Sequence, residues 1–305
     1  MLDARRLQVL KVVVEAGSIT AAAEALGYTP SAVSQTIAAL EREAKAALFE
    51  KAGRGIRPTQ AGLLLAGHAE AVIAQLREAE EALDALRSGQ AGRLRLAAFA
   101  TAGAALVPRA LARFQEAHRA VELDLVMAEP DEALALLRSG HIDLAVIALP
   151  GEPDGDGQSL VYTHLLDDPY RVVLPWSHDV AARRVIDLED LADDPWIATA
   201  SARCNCLPTV TTACARAGFT PRFAIEADEF ATTVGFVAAG LGVAMVPLLA
   251  LSSVPDSVRI CQISDDEPTR FVYAVMRTQT ADQSIVGAMQ EALRASAGSY
   301  LSSAA

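Results

Sequence analysis

Ser18–Glu41, SITAAAEALGYTPSAVSQTIAALE, is the stretch whose reading decides the fold of the N-terminal part of this chain. Ser18 is a good N-cap for a helix over Ile19–Leu26, and Gly27 suits the left-handed residue that ends it. Thr29 then caps a further helix, and Pro30 occupies its first turn, where a missing N–H costs nothing. Val33, Ile37 and Leu40 recur at helical spacing and form a stripe to bury. The first turns carry Ser31, Ser34 and Gln35 instead, small polar groups with little charge to solvate. What those groups face is the question the rest of the chain has to answer.

The flanks build a unit around this stretch. Leu7, Leu10, Val13 and Val14 give Leu2–Ala16 a helical period. Three helices with a short Gly-containing turn between the second and third describe a helix-turn-helix. The following EKAGRGIRPTQAG, with Gly53 and Gly55 in a tight turn and Lys51, Arg54 and Arg57 as cations, reads as a small wing or hairpin. A helix start offers unpaired N–H groups and partial positive charge, which suit phosphate oxygens. The major groove admits an α-helix, and Gln35 can make a paired contact to adenine while Ser31 and Ser34 reach bases or phosphate. Thr20, Thr29 and Pro30 sit where backbone contacts are expected, with Arg54 and Arg57 adding wing contacts. A blander alternative is that Thr29, Ser31 and Ser34 only cap the helix and Gln35 is solvated. The compact helix pair before it and the basic wing after it favour double-stranded DNA as the partner.

Length and charge bound the remainder. The 305 residues suit two or three domains and carry a formal charge of −12. Residues 1–60 hold eight Lys/Arg against six Asp/Glu, so a near-neutral head precedes an acidic body. Binding DNA then depends on the basic groups sharing one face. Charges interrupt the N-terminus, so no secretory segment is expected. The uncharged run Phe230–Pro255 is long enough to span a bilayer, but Gly235, Gly240, Gly242 and Pro247 divide it into helix, turn and strand pieces. The expected setting is the cytoplasm, with no membrane and with the four cysteines reduced.

From Thr59 to Ser88 the pattern predicts one long helix. Leu65, Ala69, Val72, Leu76, Ala79, Leu83 and Leu86 alternate spacings of four and three, a heptad seam that calls for a partner helix. Leu65, Val72, Leu76 and Leu83 are the candidate dimerisation residues; the alternative is an amphipathic helix lying on its own domain. RSGQAGR ends the helix as a linker. Beyond Arg93, strands alternate with helices, a run of βαβ units that predicts an α/β domain with a largely parallel sheet. The series recurs after the loop GEPDGDGQ, which favours two lobes over one large sheet. The expected division is a winged helix-turn-helix over 1–60, a dimerisation helix over 61–90 and a two-lobed domain over 91–305. Lobe I takes 91–164 and 268–298, and lobe II takes 165–267.

GSITAAAEALGYTPSAVSQTIAALEREAKAALFEKAGRGIRPTQAG resembles the winged helix-turn-helix of LysR-type transcriptional regulators. The resemblance is carried by Ala22-Ala23, Leu26, Ser31-Ala32-Val33-Ser34, Ile37, Leu40-Glu41, Leu48-Phe49, Arg54, Thr59 and Ala61-Gly62. The order of the later parts agrees, a seam helix and then two α/β lobes similar to periplasmic binding proteins. The resemblance implies a sequence-specific DNA-binding transcriptional regulator, dimeric or homotetrameric, with RNA polymerase as a further partner. It also implies a small-molecule effector between the lobes. The chain departs from the pattern at Ala44-Lys45, where family members usually have Leu-Gly, at Gln35, where Arg is common, and at Lys51.

Ligands of open α/β sheets favour crevices beyond the carboxyl ends of strands. Those ends supply Ala100, Thr101 and Ala102 after the first strand, Thr199, Ser201, Cys204, Asn205 and Cys206 after a second-lobe strand, and Val246 later. Hydroxyls beside free helix N–H groups suit an anionic effector; as a plainer reading, Thr101 and Ser201 are helix caps. Cys204 and Cys206 precede Pro208, near a helix start that favours thiolate. Cys214 lies further along the same helix, at on the order of 10 Å by helical rise, beyond disulfide reach of about 7 Å. CLPTVTTACARAG is similar to the sensing segment of peroxide-responsive LysR-type proteins, although Cys214 follows Cys206 by eight positions and Cys204 by ten. Three readings stay open: cysteines lining the cleft, a redox switch through Cys204/Cys206 and Cys214, or a metal site, for which C-x-C lacks the usual paired spacing. His68, His118, His141, His164 and His178 are scattered, and no G-x-S-x-G, P-loop or G-x-G-x-x-G occurs. The expectation is therefore no enzyme, no metal and no cofactor; an enzyme built on the two-lobed domain is the distant alternative.

Overall fold

The computed structural model describes residues 2–52, 55–88, 92–153, 159–199, 206–264, 267–280 and 284–304. The chain forms two compact units. One is Met1–Arg93 with Ala120–Glu122 and Ala135–Ile142; the other is Leu94–Arg119, Leu123–Leu134 and Asp143–Ala305.

The first unit opens with α1 (Ala4–Ala16), α2 (Ile19–Leu26) and α3 (Pro30–Ala44). Each start is closed by a side-chain oxygen accepting a backbone N–H. Asp3 takes Arg6 at 3.1 Å, Ser18 takes Ala21 at 3.1 Å, and Thr29 takes Ala32 at 3.2 Å. Gly27 ends α2 at φ +67°, where a Cβ would be strained. The stripes expected from spacing meet in one cluster of Leu7, Leu10, Val13, Ala22, Val33, Ile37 and Leu40, joined by Leu48 and Ala69. Each large member contributes about 1.5–3 kcal/mol by leaving water. The end of α3 keeps the left-handed geometry without glycine: Lys45 takes φ +52° and its N–H bonds Glu41 O. It is the non-glycine residue of positive φ among those described.

A hairpin of β1 (Phe49–Ala52) and β2 (Gly55–Pro58) follows, then α4 (Gln60–Ser88). Glu41 Oε1 accepts from Leu48 N at 2.8 Å and Phe49 N at 3.3 Å, tying α3 to the wing. Thr59 N donates to Leu48 O at 2.9 Å and its Oγ1 to Ala47 O at 2.8 Å. Gly62 lies against the same backbone; a Cβ there would sit 2.2 Å from Leu48 O. The seam of α4 is divided. Ala69 is buried in the three-helix cluster and Leu65 is packed against it. Val72, Leu76 and Leu83 are 41%, 48% and 53% exposed. Over its first turns α4 thus lies on its own domain, and further along the seam residues are left exposed.

The remaining elements are β3 (Arg93–Ala98), α5 (Ala100–Ala105), α6 (Val107–Ala117), β4 (Glu122–Met127), α7 (Pro130–Arg138) and β5 (Leu144–Leu149). Next come β6 (Leu160–Pro175), β7 (Val185–Ile186), β8 (Pro195–Thr199), α8 (Cys206–Arg216) and β9 (Arg222–Ala227). The chain closes with α9 (Phe230–Ala238), β10 (Ala244–Pro247), β11 (Val258–Ile263), β12 (Thr269–Arg277) and α10 (Ser284–Ala304). An eight-stranded sheet runs β4-β3-β5-β12-β6-β11-β7, with β10 also paired to β6. β8 and β9 form a separate parallel pair.

The sheet is mixed rather than largely parallel. β3 and β5 are parallel, but β12 is antiparallel to both β5 and β6, and β10 and β11 are antiparallel to β6. YRVVLP is the second half of the long β6. That strand bonds β12 along residues 160–169 and β10 and β11 along residues 170–175. One strand therefore serves both halves of a two-lobed α/β architecture, and the lobes share a continuous hydrogen-bonded sheet. ALVPRALARFQEAH carries one helix, α6, which begins just past the end of α5 with Pro108 in its first turn. Around β8, Trp196 is fully buried with Leu174, Val210, Cys214 and Met245. A second cluster joins Ile197, Val234, Val237 and Val246. The uncharged run over 230–255 is thus accounted for by α9, β10 and a short turn, and no helix among the described residues is long and apolar enough to cross a membrane.

Candidate functional site

The start of α3 faces outward. Thr29, Pro30, Ser31, Ser34 and Gln35 are all exposed, as is Thr20 at the start of α2, while Val33 and Ile37 turn to the core. Thr29 does cap, through its bond to Ala32 N. Gln35 donates to Ser31 Oγ at 3.5 Å, a contact at the outer limit of a hydrogen bond, so its amide is free to re-aim. The surface combines open N–H groups, hydroxyls and one amide above a rigid apolar base, which is the geometry a base-reading helix requires. Arg54 lies outside the described residues. Arg57 is engaged across the hairpin with its register partner Glu50, at 3.0 Å from Nε and 2.5 Å from Nη2. A phosphate reaching Arg57 therefore competes with a carboxylate.

The second site is a cavity of about 800 Å³ in the α/β unit. Phe99 at the end of β3, Tyr170 on β6, Cys206, Thr209 and Arg216 on α8, and Arg270 at the start of β12 line it. Two ion pairs involve residues of this lining. Arg270 and Asp168 are register partners, with Nε 2.8 Å from Asp168 Oδ2. Arg171 of β6 pairs with Glu267. The second Asp168 oxygen accepts from Leu249 N at 2.8 Å. Asp168 is deeply buried, and the loss of water raises its pKa above the usual carboxylate range, against the opposing pull of Arg270 and the Leu249 N–H. Tyr170 is pushed up by burial as well, and it hydrogen bonds Thr209 of α8.

Of the strand-end positions expected to hold an effector, Cys206 is the described residue that lines the cavity. Thr101 is buried and accepts from Arg270 Nη2 at 2.6 Å. Ala102 is buried, and Ala100 is exposed outside the lining. Thr199 shares a 2.9 Å bond with Thr233 beneath the surface. Val246 is enclosed in the cluster around Ile197. Ser201, Cys204 and Asn205 lie outside the described residues. Reasoning from strand ends missed Arg270, Tyr170 and Phe271, because they enter from antiparallel strands where that reasoning expects parallel ones. The spacing of Glu267 and Arg270, mirrored by Asp168 and Arg171, was a signal of cross-strand charge pairing.

Cys206 is disulfide-bonded, against the expectation that all four cysteines are reduced. Cys214 and Cys261 are free and buried, and burial pushes the Cys214 thiol up to about 11. Among the described residues no cluster of three His, Cys, Asp or Glu side chains could hold a metal ion.

Fold and sites together define a class: a winged helix-turn-helix module and an α/β ligand-binding domain in one chain. Residues 4–63 match the family model for the bacterial regulatory helix-turn-helix protein, lysR family, and residues 87–298 match that for the LysR substrate binding domain. The chain belongs to the LysR family, and it is a DNA-binding transcriptional regulator with an effector-binding domain. A probable hydrogen peroxide-inducible genes activator of Mycobacterium avium is 30% identical over 281 residues, covering 90% of this chain and 88% of that protein. A probable RuBisCO transcriptional regulator of Cyanophora paradoxa is 32% identical over 251 residues, covering 81% of this chain and 76% of that protein. In fold, the chain is similar to a full-length OxyR variant from Pseudomonas aeruginosa, with a TM-score of 0.66, 22% identity and coverage of 96% and 95%. It is likewise similar to full-length CbnR complexed with target DNA, at 0.63, 20% identity and coverage of 97% and 100%.

Proposed function

We propose that this regulator reads duplex DNA with Ser31, Ser34 and Gln35 at the start of α3, while Thr20, Thr29, Pro30, Arg54 and Arg57 hold the backbone. A small anionic effector in the α/β cavity alters that hold. The wing-bearing segment 1–60 binds, the α4 segment 61–90 joins two copies through Val72, Leu76 and Leu83, and 91–305 senses. The chain works in the cytoplasm and performs no catalysis. The carrying observation is the exposed polar start of α3 over a fully buried stripe. Footprinting of the DNA upstream of the protein's own coding region tests it, with a two-fold protected site expected. Gln35→Ala should lose about 1–3 kcal/mol of discrimination at one base position; an equal loss on every sequence refutes the assignment.

A second reading is control by oxidants through Cys206. Similarity to a relative named for hydrogen peroxide favours it; the disulfide at Cys206 is not one to Cys214, which is free. The raised pKa of Cys214 opposes a role for that thiol as the attacking group.

A further inference from the structure

The effector reading leaves open which group in the cavity recognises the ligand and what ligand it selects. Arg270 is placed for this. Its side chain is 11% exposed and that of Asp168 1%. Nε and Nη2 are held by Asp168 and Thr101, and the guanidinium lies 4.9 Å from the centroid of the Phe99 ring. These contacts fix the group on one edge and one face. Nη1 has no acceptor among the described residues, and Arg270 is one of the residues that line the cavity. A buried guanidinium with an unused pair of N–H donors selects a planar anionic oxygen acceptor.

We infer that Arg270 is the anion-reading residue of the cavity and that the ligand is a monocarboxylate with an apolar body. This rests on the proposed effector role of the cavity and deepens it. The apolar body follows from Phe99, Phe271, Leu149 and Pro150 in the lining. The single charge follows from the rest of the lining: Glu129 and Asp131 also face the cavity, so a second ligand carboxylate meets like charge. Arg216, the other cation of the lining, has an interaction of its own, and Glu267 is engaged by Arg171. Asp168 and Thr101 act as positioning residues. They hold Arg270 in one orientation before the ligand arrives, which lowers the ordering cost of binding.

Calorimetry on the full-length protein tests this with 3-phenylpropionate, its neutral amide 3-phenylpropionamide, and succinate. The acid is expected to bind at least about tenfold more tightly than the amide, and succinate more weakly than the acid. Arg270→Gln alone strands a buried Asp168 and endangers the fold. The double variant Asp168→Asn/Arg270→Gln removes both charges together, and it should bind acid and amide equally. The inference is overturned if the wild-type protein binds no acid, if acid and amide bind alike, if succinate binds best, or if the double variant keeps the acid preference. Footprinting with and without 3-phenylpropionate separates this from the effector reading. Acid binding through Arg270 with an unchanged footprint sinks the effector role and leaves the residue assignment standing. Equal acid and amide binding with a changed footprint does the reverse.

Discussion

Gly62→Ala tests how tightly the wing is tied to the helices beneath it. Gly62 sits in the first turn of α4, and an added Cβ would lie 2.2 Å from Leu48 O and 3.1 Å from Leu48 C. A carbon normally approaches a carbonyl oxygen no closer than about 3.3 Å, so α4 and the start of the wing must separate by about 1 Å. Leu48 O cannot yield alone, because it accepts from Thr59 N while Leu48 N is held by Glu41. Thr59 in turn bonds Ala47 O and caps Gly62 N at 3.0 Å. Overpacking of this kind costs about 1–3 kcal/mol, and one lost backbone bond adds about 1 kcal/mol. The expected destabilisation is therefore about 2–4 kcal/mol, local to the first unit. Hydrogen exchange by mass spectrometry on the full-length protein reads it: amides over 48–65 should exchange at least about 30-fold faster, with β12 in the other compact unit unchanged. Affinity for the footprinted site should fall with it, since the wing is displaced. Exchange within about twofold of wild type would refute the contact geometry.

Lys45→Gly should act in the opposite direction. A side chain at φ +52° carries a strain of about 1–2 kcal/mol, partly offset by the entropy of a new glycine. Lys45 pairs with no carboxylate among the described residues, so α3 should gain about 1 kcal/mol and its amides exchange about fivefold more slowly; faster exchange would contradict the cap. Cys214 should resist alkylation. Raising its pKa from 9.0 to about 11 lowers the thiolate population near pH 8 by about 100-fold, and the thiolate is the reacting form. Iodoacetamide on the intact protein should leave Cys214 unmodified long after an unfolded control has reacted; equal rates would remove the objection to Cys214 as a sensing thiol.

The helix-turn-helix was legible because its determinants are local. Ser18, Thr29 and Gly27 cap or end helices within a few residues of themselves, and Val33, Ile37 and Leu40 face inward by period alone. Even the departure at Ala44-Lys45 left the helix end intact, since Lys45 accepts the left-handed geometry that glycine would otherwise supply. The seam of α4 was legible as a period but not as a division of labour. Nothing in the spacing of Leu65, Ala69 and Val72 says that Ala69 closes the three-helix core while Val72 is exposed.

The cavity lay further from the sequence because its making is long-range. A strand-end rule presumes parallel strands joined by crossover helices. Here β6 and β12 enter antiparallel, so Arg270, at the beginning of its strand, arrives where a strand end was expected. Thr101 does not line the cavity; its hydroxyl accepts from Arg270 instead. A charge pattern of Asp168 and Arg171 against Glu267 and Arg270 becomes informative only once the register pairing Asp168 with Arg270 is known. A local sequence can declare a helix cap, but one register slip of β12 would carry Arg270 to the other face of the sheet. Arg270 and Asp168 are partners in that register, so the pairing of β12 with β6 decides that Arg270 is among the residues lining the cavity.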